Sequence, residues 1–328
     1  MGCFSSKSDE RNETIDSQSS QAEFRYIDGR RFHNVENVKY HLPNDENETD
    51  RLHSQHFLLR YIWQSNFSAP VDHILSRPDA KILDVGCGAG SWSFDMATTY
   101  PLAKIIGLDI SSHQPTTIKP KNFVFVKANA EERLPFDDNT FDFVFQRYLT
   151  FGLTKERWPH VINELVRVLK PGGFLELCEF SSGFDLGPVT KRFSDCGVYL
   201  NVTLSIFFYL HNDLFNYHKE YEILEQQGSD FDSYQKLEEY CRNQGQLENI
   251  KKEVKPCYYN SNSSVELSKA ILGNLSFAYT SLKPILSKKL QVSDEEYDEL
   301  TKMSEKEVVE LNTYYKIVRV YASKIIHK

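Results

Sequence analysis

Residues 82–92 run Ile82-Leu83-Asp84-Val85-Gly86-Cys87-Gly88-Ala89-Gly90-Ser91-Trp92. An apolar strand enters a G-x-G-x-G loop and leaves it as a helix. Such a loop has no Cβ atoms in the way at its glycines, so backbone approaches a bound ligand closely at a helix N-terminus. A nucleotide-like ligand is implied. The dinucleotide fingerprint G-x-G-x-x-G would need glycine at position 91, and Ser91 stands there, which argues against a nicotinamide-dependent oxidoreductase.

The segments downstream repeat the pattern of strands that end in polar groups. Lys104-Ile105-Ile106-Gly107-Leu108-Asp109-Ile110 is a second short apolar strand. Its acid falls about 20 residues beyond the glycines, where an αβ unit places a carboxylate for ribose hydroxyls. Asp109 is therefore the expected ribose ligand. Phe123-Val124-Phe125-Val126 follows, then Asn129-Ala130-Glu131, and Phe141-Asp142-Phe143-Val144-Phe145-Gln146 is a fourth strand candidate. Gln146 closes that strand at the ligand-facing end, with Arg147 and Tyr148 next in the crevice where open α/β sheets bind ligands. A helix then ends at Lys170-Pro171-Gly172-Gly173, where Gly172 and Gly173 permit the positive φ of a helix C-terminus before a fifth strand.

In this order the motifs resemble those of class I S-adenosylmethionine (SAM) dependent methyltransferases over residues 80–180. The resemblance implies an α/β fold, a doubly wound, seven-stranded, mostly parallel, Rossmann-like sheet with helical cap insertions, and SAM as cofactor. Gly86, Gly88 and Gly90 would form the cradle, and Asp84 would orient the methionine end. Asn129 and Ala130 occupy the place of an Asp-Ala pair that contacts adenine. Asparagine departs from that pattern, but its amide still accepts and donates.

Upstream, Tyr40-His41-Leu42-Pro43-Asn44-Asp45-Glu46 leads into Arg51-Leu52-His53-Ser54-Gln55-His56. This run, with Arg147 and Trp158-Pro159, is similar to fungal methyltransferases of the kind that regulates secondary metabolism in the velvet complex. Asp45 and Glu48 resemble a capping box, and Leu52, His56, Leu59 and Trp63 recur at helical spacing. We expect this helix to cover the cofactor pocket. A sulfonium is an already activated methyl donor, so alignment of the acceptor supplies most of what is needed, up to about 7–11 kcal/mol. Glu179, Tyr148 and His53 are the candidates for orienting or deprotonating an acceptor.

Composition limits the partners. With 38 Lys and Arg against 46 Asp and Glu, the net charge of −8 argues against a dedicated nucleic-acid binder. Six cysteines contain no C-x-x-C pair, which fits reduced thiols, and Cys87 reads as a packing residue within the loop. The most apolar stretch, Val198 to Leu210, is too short to span a membrane. Met1-Gly2-Cys3-Phe4-Ser5-Ser6 matches an N-myristoylation pattern at Gly2 with Cys3 as a palmitoylation site. That expectation puts the protein in the cytoplasm, held at a membrane surface by acylation, with the nucleus as the other location.

The chain divides into a polar tether (1–23), a helical cover (24–78), a SAM-binding core (79–182) and helical cap insertions with the last two strands (183–328). Aromatics from Phe193 to Tyr221 are expected to cap the substrate end, and helices over 263–312 to break near Pro284. The expected function is methyl transfer from SAM to a small-molecule or protein acceptor. A membrane-tethered SAM-binding regulatory scaffold without turnover is the alternative.

Overall fold

The computed structural model describes residues 24–27, 30–33, 46–112, 114, 119–150, 152–195, 233–260 and 264–326. Gly2, Cys3, Asp45 and the aromatics from Tyr199 to Tyr221 lie outside them, so the acylation, capping-box and aromatic-cap expectations do too. A hairpin of β1 (Phe24–Ile27) and β2 (Arg30–His33) comes first, where the sequence led us to expect a helical cover. Helix α1 (Glu46–Trp63) and a short turn of helix, α2 (Asp72–Leu75), lead into the core.

The core is one seven-stranded sheet in the order β5-β4-β3-β6-β7-β9-β8. Its strands are β3 (Lys81–Val85), β4 (Lys104–Asp109), β5 (Phe123–Lys127), β6 (Phe141–Arg147), β7 (Leu169–Phe180), β8 (Leu247–Tyr258) and β9 (Tyr314–Lys324). The first five are parallel, and β9 enters antiparallel between β7 and β8. Strands buried on both faces need apolar residues at every position, and alternation then sorts them between two cores. Ile82, Ile105, Phe143, Phe145 and Ile317 face one. Leu83, Val85, Ile106, Val144 and Val318 face the other.

Each core is roofed by amphipathic helices. Helix α3 (Ser91–Thr99) buries Trp92, Met96 and Ala97 on the first. Helix α4 (Trp158–Val168) starts with proline in its first turn and buries Trp158, Val161, Ile162 and Leu165 on the second, at the spacing of one helical face. Helices α5 (Pro188–Asp195) and α6 (Ser233–Gln244) follow, and α7 (Val265–Leu290) packs on α8 (Asp294–Glu310). Phe193 lies in the core between Tyr279 of α7 and Tyr297 of α8, so it packs the fold. No helix among the described residues is long and apolar enough to cross a membrane.

Two local expectations are corrected. Helix α4 ends at Val168 with Leu169 already extended, and Pro171-Gly172-Gly173 lies inside β7. There the register shifts, with Leu169 opposite Phe141 and Phe174 opposite Phe143, so residues 170–173 face Asp142 alone. This is a bulge: Gly172 takes φ +76°, while Gly173 passes so close that a Cβ would meet the Asp142 carbonyl oxygen at 2.9 Å. The second correction is at Pro284, through which α7 continues to Leu290. The break comes at Gln291, whose left-handed φ of 56° caps the helix, and Ser293 with Glu296 forms a capping box for α8.

Candidate cofactor site

The chain lays β3, β4 and β5 outward in turn, then returns to place β6 on the other side of β3. A crevice opens at such a reversal, beyond the carboxyl ends of the strands. The residues that meet there are the three-glycine loop after β3, Asp109 at the end of β4, and the Arg147–Leu149 turn at the end of β6. They line a cleft open to solvent.

The loop is built for close approach. Gly86, Gly88 and Gly90 take φ of +72°, +53° and +84°, a region where side chains are strained. The amides of Gly86 and Cys87 both bond the Leu108 carbonyl, at 2.8 and 3.0 Å, which pins the turn to β4. Gly90 precedes α3 without a side-chain cap, leaving that helix N-terminus without a side-chain partner beside the cleft. The Cys87 thiol accepts a weak bond from Gln114 at 3.5 Å, and burial pushes its pKa well up, as befits a packing residue.

Asp109 is 6% exposed. Its Oδ2 accepts from the Gly88 amide and its Oδ1 from the Ser111 amide, both at 2.9 Å. A carboxylate offers about four lone-pair sites, so acceptor capacity remains for a pair of hydroxyls. Asp84 sits lower. It is buried beneath the loop, accepts from Ser93 Oγ at 2.7 Å and so joins β3 to α3, outside the cleft lining. Burial pushes its carboxyl up to about 6, against the opposing pull of Ser93 and Arg147.

Helix α1 lies at the cleft and contributes Leu52 and Gln55 to its lining. Asp95 of α3 holds it there. That carboxylate bonds His56 at 3.1 Å, Arg60 at 3.0 Å, and Asn66 just beyond α1 at 3.0 Å. Desolvation lowers the pKa of His56 although Asp95 pulls the other way, so this buried imidazole favours its neutral form. His53 Nδ1 lies 2.7 Å from Ser91 Oγ; Ser91 lines the cleft and His53 does not.

Of the residues expected from sequence, Gly86, Gly88, Asp109 and Tyr148 converge on the cleft, and Gly90 closes the loop beside them. Others do not. Asn129 follows β5 outside the lining, and its Oδ1 accepts the Glu131 amide at 2.9 Å in a local turn; Ala130, inside that turn, is also absent from the lining. Gln146 points away from the cleft and donates to Glu179 at 2.7 Å, leaving its Oε1 buried without a partner. Glu179 is fully buried and engaged by protein donors, so it is not placed to touch an acceptor. Tyr148 lines the cleft with its ring packed on Phe180, but its hydroxyl is buried without a partner, and burial pushes its pKa far above the ordinary range. Arg147 lies in the crevice, as expected from its place after β6, whereas Leu52, Gln55, Ser91, Trp92 and Leu149 were given no binding role, although the quoted motifs contain most of them.

A family profile described as a methyltransferase domain matches residues 82–173. Methyltransferase pytC of Aspergillus terreus is 38% identical over 164 residues, 49% of this chain and 48% of pytC. The secondary metabolism regulator LAE1 of Cochliobolus heterostrophus is 33% identical over 155 residues, 46% of this chain and 49% of that protein. The chain thus spans about half the length of the curated relatives it matches. Among solved structures, phosphoethanolamine N-methyltransferase 2 of Haemonchus contortus in complex with S-adenosyl-L-methionine superposes with a TM-score of 0.43 at 18% identity, covering 84% of this chain and 57% of that one.

Proposed function

We propose that the chain, whose residues 82–173 match a methyltransferase domain, is a class I SAM-dependent methyltransferase that binds SAM in the cleft and transfers the methyl group to a small-molecule or protein acceptor. One observation carries this reading. A three-glycine cradle, a carboxylate with spare acceptor capacity and a cation stand together at the carboxyl ends of β3, β4 and β6.

These groups fit the parts of the cofactor. Asp109 has lone pairs left for the two ribose hydroxyls. Arg147, the cation in the lining, suits the methionine carboxylate, to which a guanidinium donates two parallel bonds. The glycine loop admits backbone contact where any Cβ would intrude; at Gly86 it would lie 2.7 Å from Leu149 Cδ2. Bound SAM supplies a methyl group already activated by its sulfonium.

The protein's part is alignment and exclusion of water. Leu52 and Gln55 cover the cleft from α1, and Trp92 and Leu149 close its sides. Asp109 is given to the ribose, Tyr148 hides its hydroxyl, His53 lies outside the lining against Ser91 Oγ, and Asp84 and Glu179 are sealed behind the walls. Catalysis here rests on holding the acceptor atom in line with the methyl group, which can account for several orders of magnitude in rate. The test is turnover: with methyl-tritiated SAM and a cell extract, label should pass into the small-molecule or the protein fraction as S-adenosylhomocysteine (SAH) accumulates. Tight SAM binding without any transfer would leave the protein a scaffold.

A further inference from the structure

Tyr148 stands in the cleft wall with φ +61°. A residue with a Cβ rarely rests there, at a cost of about 1–2 kcal/mol, and it stays only when its surroundings hold it. The holding group is Glu179, at the end of β7 directly behind the wall. Its Oε1 accepts from Gln146 Nε2 at 2.7 Å and from the Leu149 amide at 2.8 Å, and its Oε2 accepts from Thr150 Oγ at 2.7 Å. The donors bracket the strained residue on both sides. The Tyr148 amide itself bonds the Cys178 carbonyl at 3.0 Å, so the turn is fastened to β7 along its length.

The turn in question carries Arg147, Tyr148 and Leu149 into the cleft, with Leu149 pressed against the glycine cradle at Gly86. We propose that Glu179 is a positioning residue that clamps the Arg147–Leu149 turn against the glycine loop and thereby sets the cleft for SAM. This rests on the reading of the cleft as the SAM site. The residue acts through the wall and touches neither cofactor nor acceptor, since both its oxygens are occupied and it is wholly buried.

The clamp depends on acceptor geometry at Oε1 more than on charge. Thr150 Oγ also lies 2.6 Å from Ser233 Oγ, and either hydroxyl can donate to the other. A protonated Glu179, or a glutamine in its place, can therefore donate to Thr150, which turns its own hydrogen toward Ser233. Oε1 keeps both donors in either state. Leucine at this position would instead strand the Leu149 amide and the Gln146 side chain.

The decisive experiment is SAM titration calorimetry on the full chain, with KM for SAM and kcat measured wherever turnover is found. Glu179→Gln should bind SAM within about threefold of the parent, whereas Glu179→Leu should weaken it at least tenfold, raising KM with kcat at saturation nearly kept. A Glu179→Leu variant that binds like the parent overturns the clamp. So does a Glu179→Gln variant as weak as Glu179→Leu. Should Glu179→Leu fail to fold, Thr150→Val, which removes the hydroxyl bond to Oε2, decides the matter: weaker SAM binding supports the clamp, and an unchanged Kd overturns it. A parent protein that binds no SAM overturns the reading of the cleft itself, and the clamp with it.

Discussion

Replacing Gly86 by alanine should separate two effects that the loop keeps together. The backbone there sits at φ +72°, so any Cβ costs about 1–2 kcal/mol of strain. For a chain of this size that lowers the melting temperature by about 1.5–3 °C. The new methyl would also stand 2.7 Å from Leu149 Cδ2 and 3.3 Å from its Cγ, closer than carbons approach. Leucine yields by turning its side chain, and because Leu149 lines the cleft, it turns into space the ligand needs. Loss of that apolar contact and intrusion on the ligand should weaken SAM binding by about 1.5–3 kcal/mol, or roughly 10–150-fold. Leu149→Ala added to Gly86→Ala should restore affinity to nearly that of Leu149→Ala alone while leaving the melting temperature low. Calorimetric titration beside thermal unfolding of the four proteins reads both terms as a double-mutant cycle. An affinity loss that Leu149→Ala fails to relieve, or a Gly86→Ala variant that melts and binds like the parent, would refute the reasoning.

Three further outcomes are expected. Asp109→Ala should lose about 1.5–3 kcal/mol of SAM affinity through the ribose contacts and the Gly88 anchor, and an unchanged Kd would remove Asp109 from the site. Asp95→Ala leaves His56, Arg60 and Asn66 without their shared acceptor, so amide exchange over residues 46–63 should quicken and SAM bind more weakly, while β3 and β4 stay protected; uniform exchange across the chain would contradict this. Glu179 keeps its proton up to about 7, against an ordinary value of 4.5, because of burial. The stability from that proton is fully present below pH 4.5 and lost as pH rises through 7, so Glu179→Gln should flatten the fall by up to about 3 kcal/mol in pH-dependent denaturation. Parallel curves for the two proteins would exclude it.

What the sequence discloses follows the range of the forces involved. The glycine loop, the buried strands and Asp109 were legible because each is set by local pattern: apolar runs of strand length, glycines where φ must be positive, an acid at a strand end. The Pro-Gly-Gly bulge was not, because its form depends on pairing with Asp142 of a strand some thirty residues away. Likewise a polar residue near a strand end either faces the crevice or turns back into the sheet, and parity with distant neighbours decides which. Arg147 lines the cleft, while Gln146 and Glu179 close on each other behind it. The cover helix and its place at the cleft were legible from its period and motif, and the group that holds it there was not, since Asp95 lies on another element. Tyr148 shows the same limit, because nothing in its own identity announces a left-handed backbone.

The central claim is that the cleft at the ends of β3, β4 and β6 is a SAM site. Calorimetric titration of the full chain with SAM, SAH and NAD tests it most directly. SAM and SAH should each bind once per chain and displace one another, with no heat from NAD. Saturable NAD binding, or no binding of either SAM or SAH by folded protein, would contradict it.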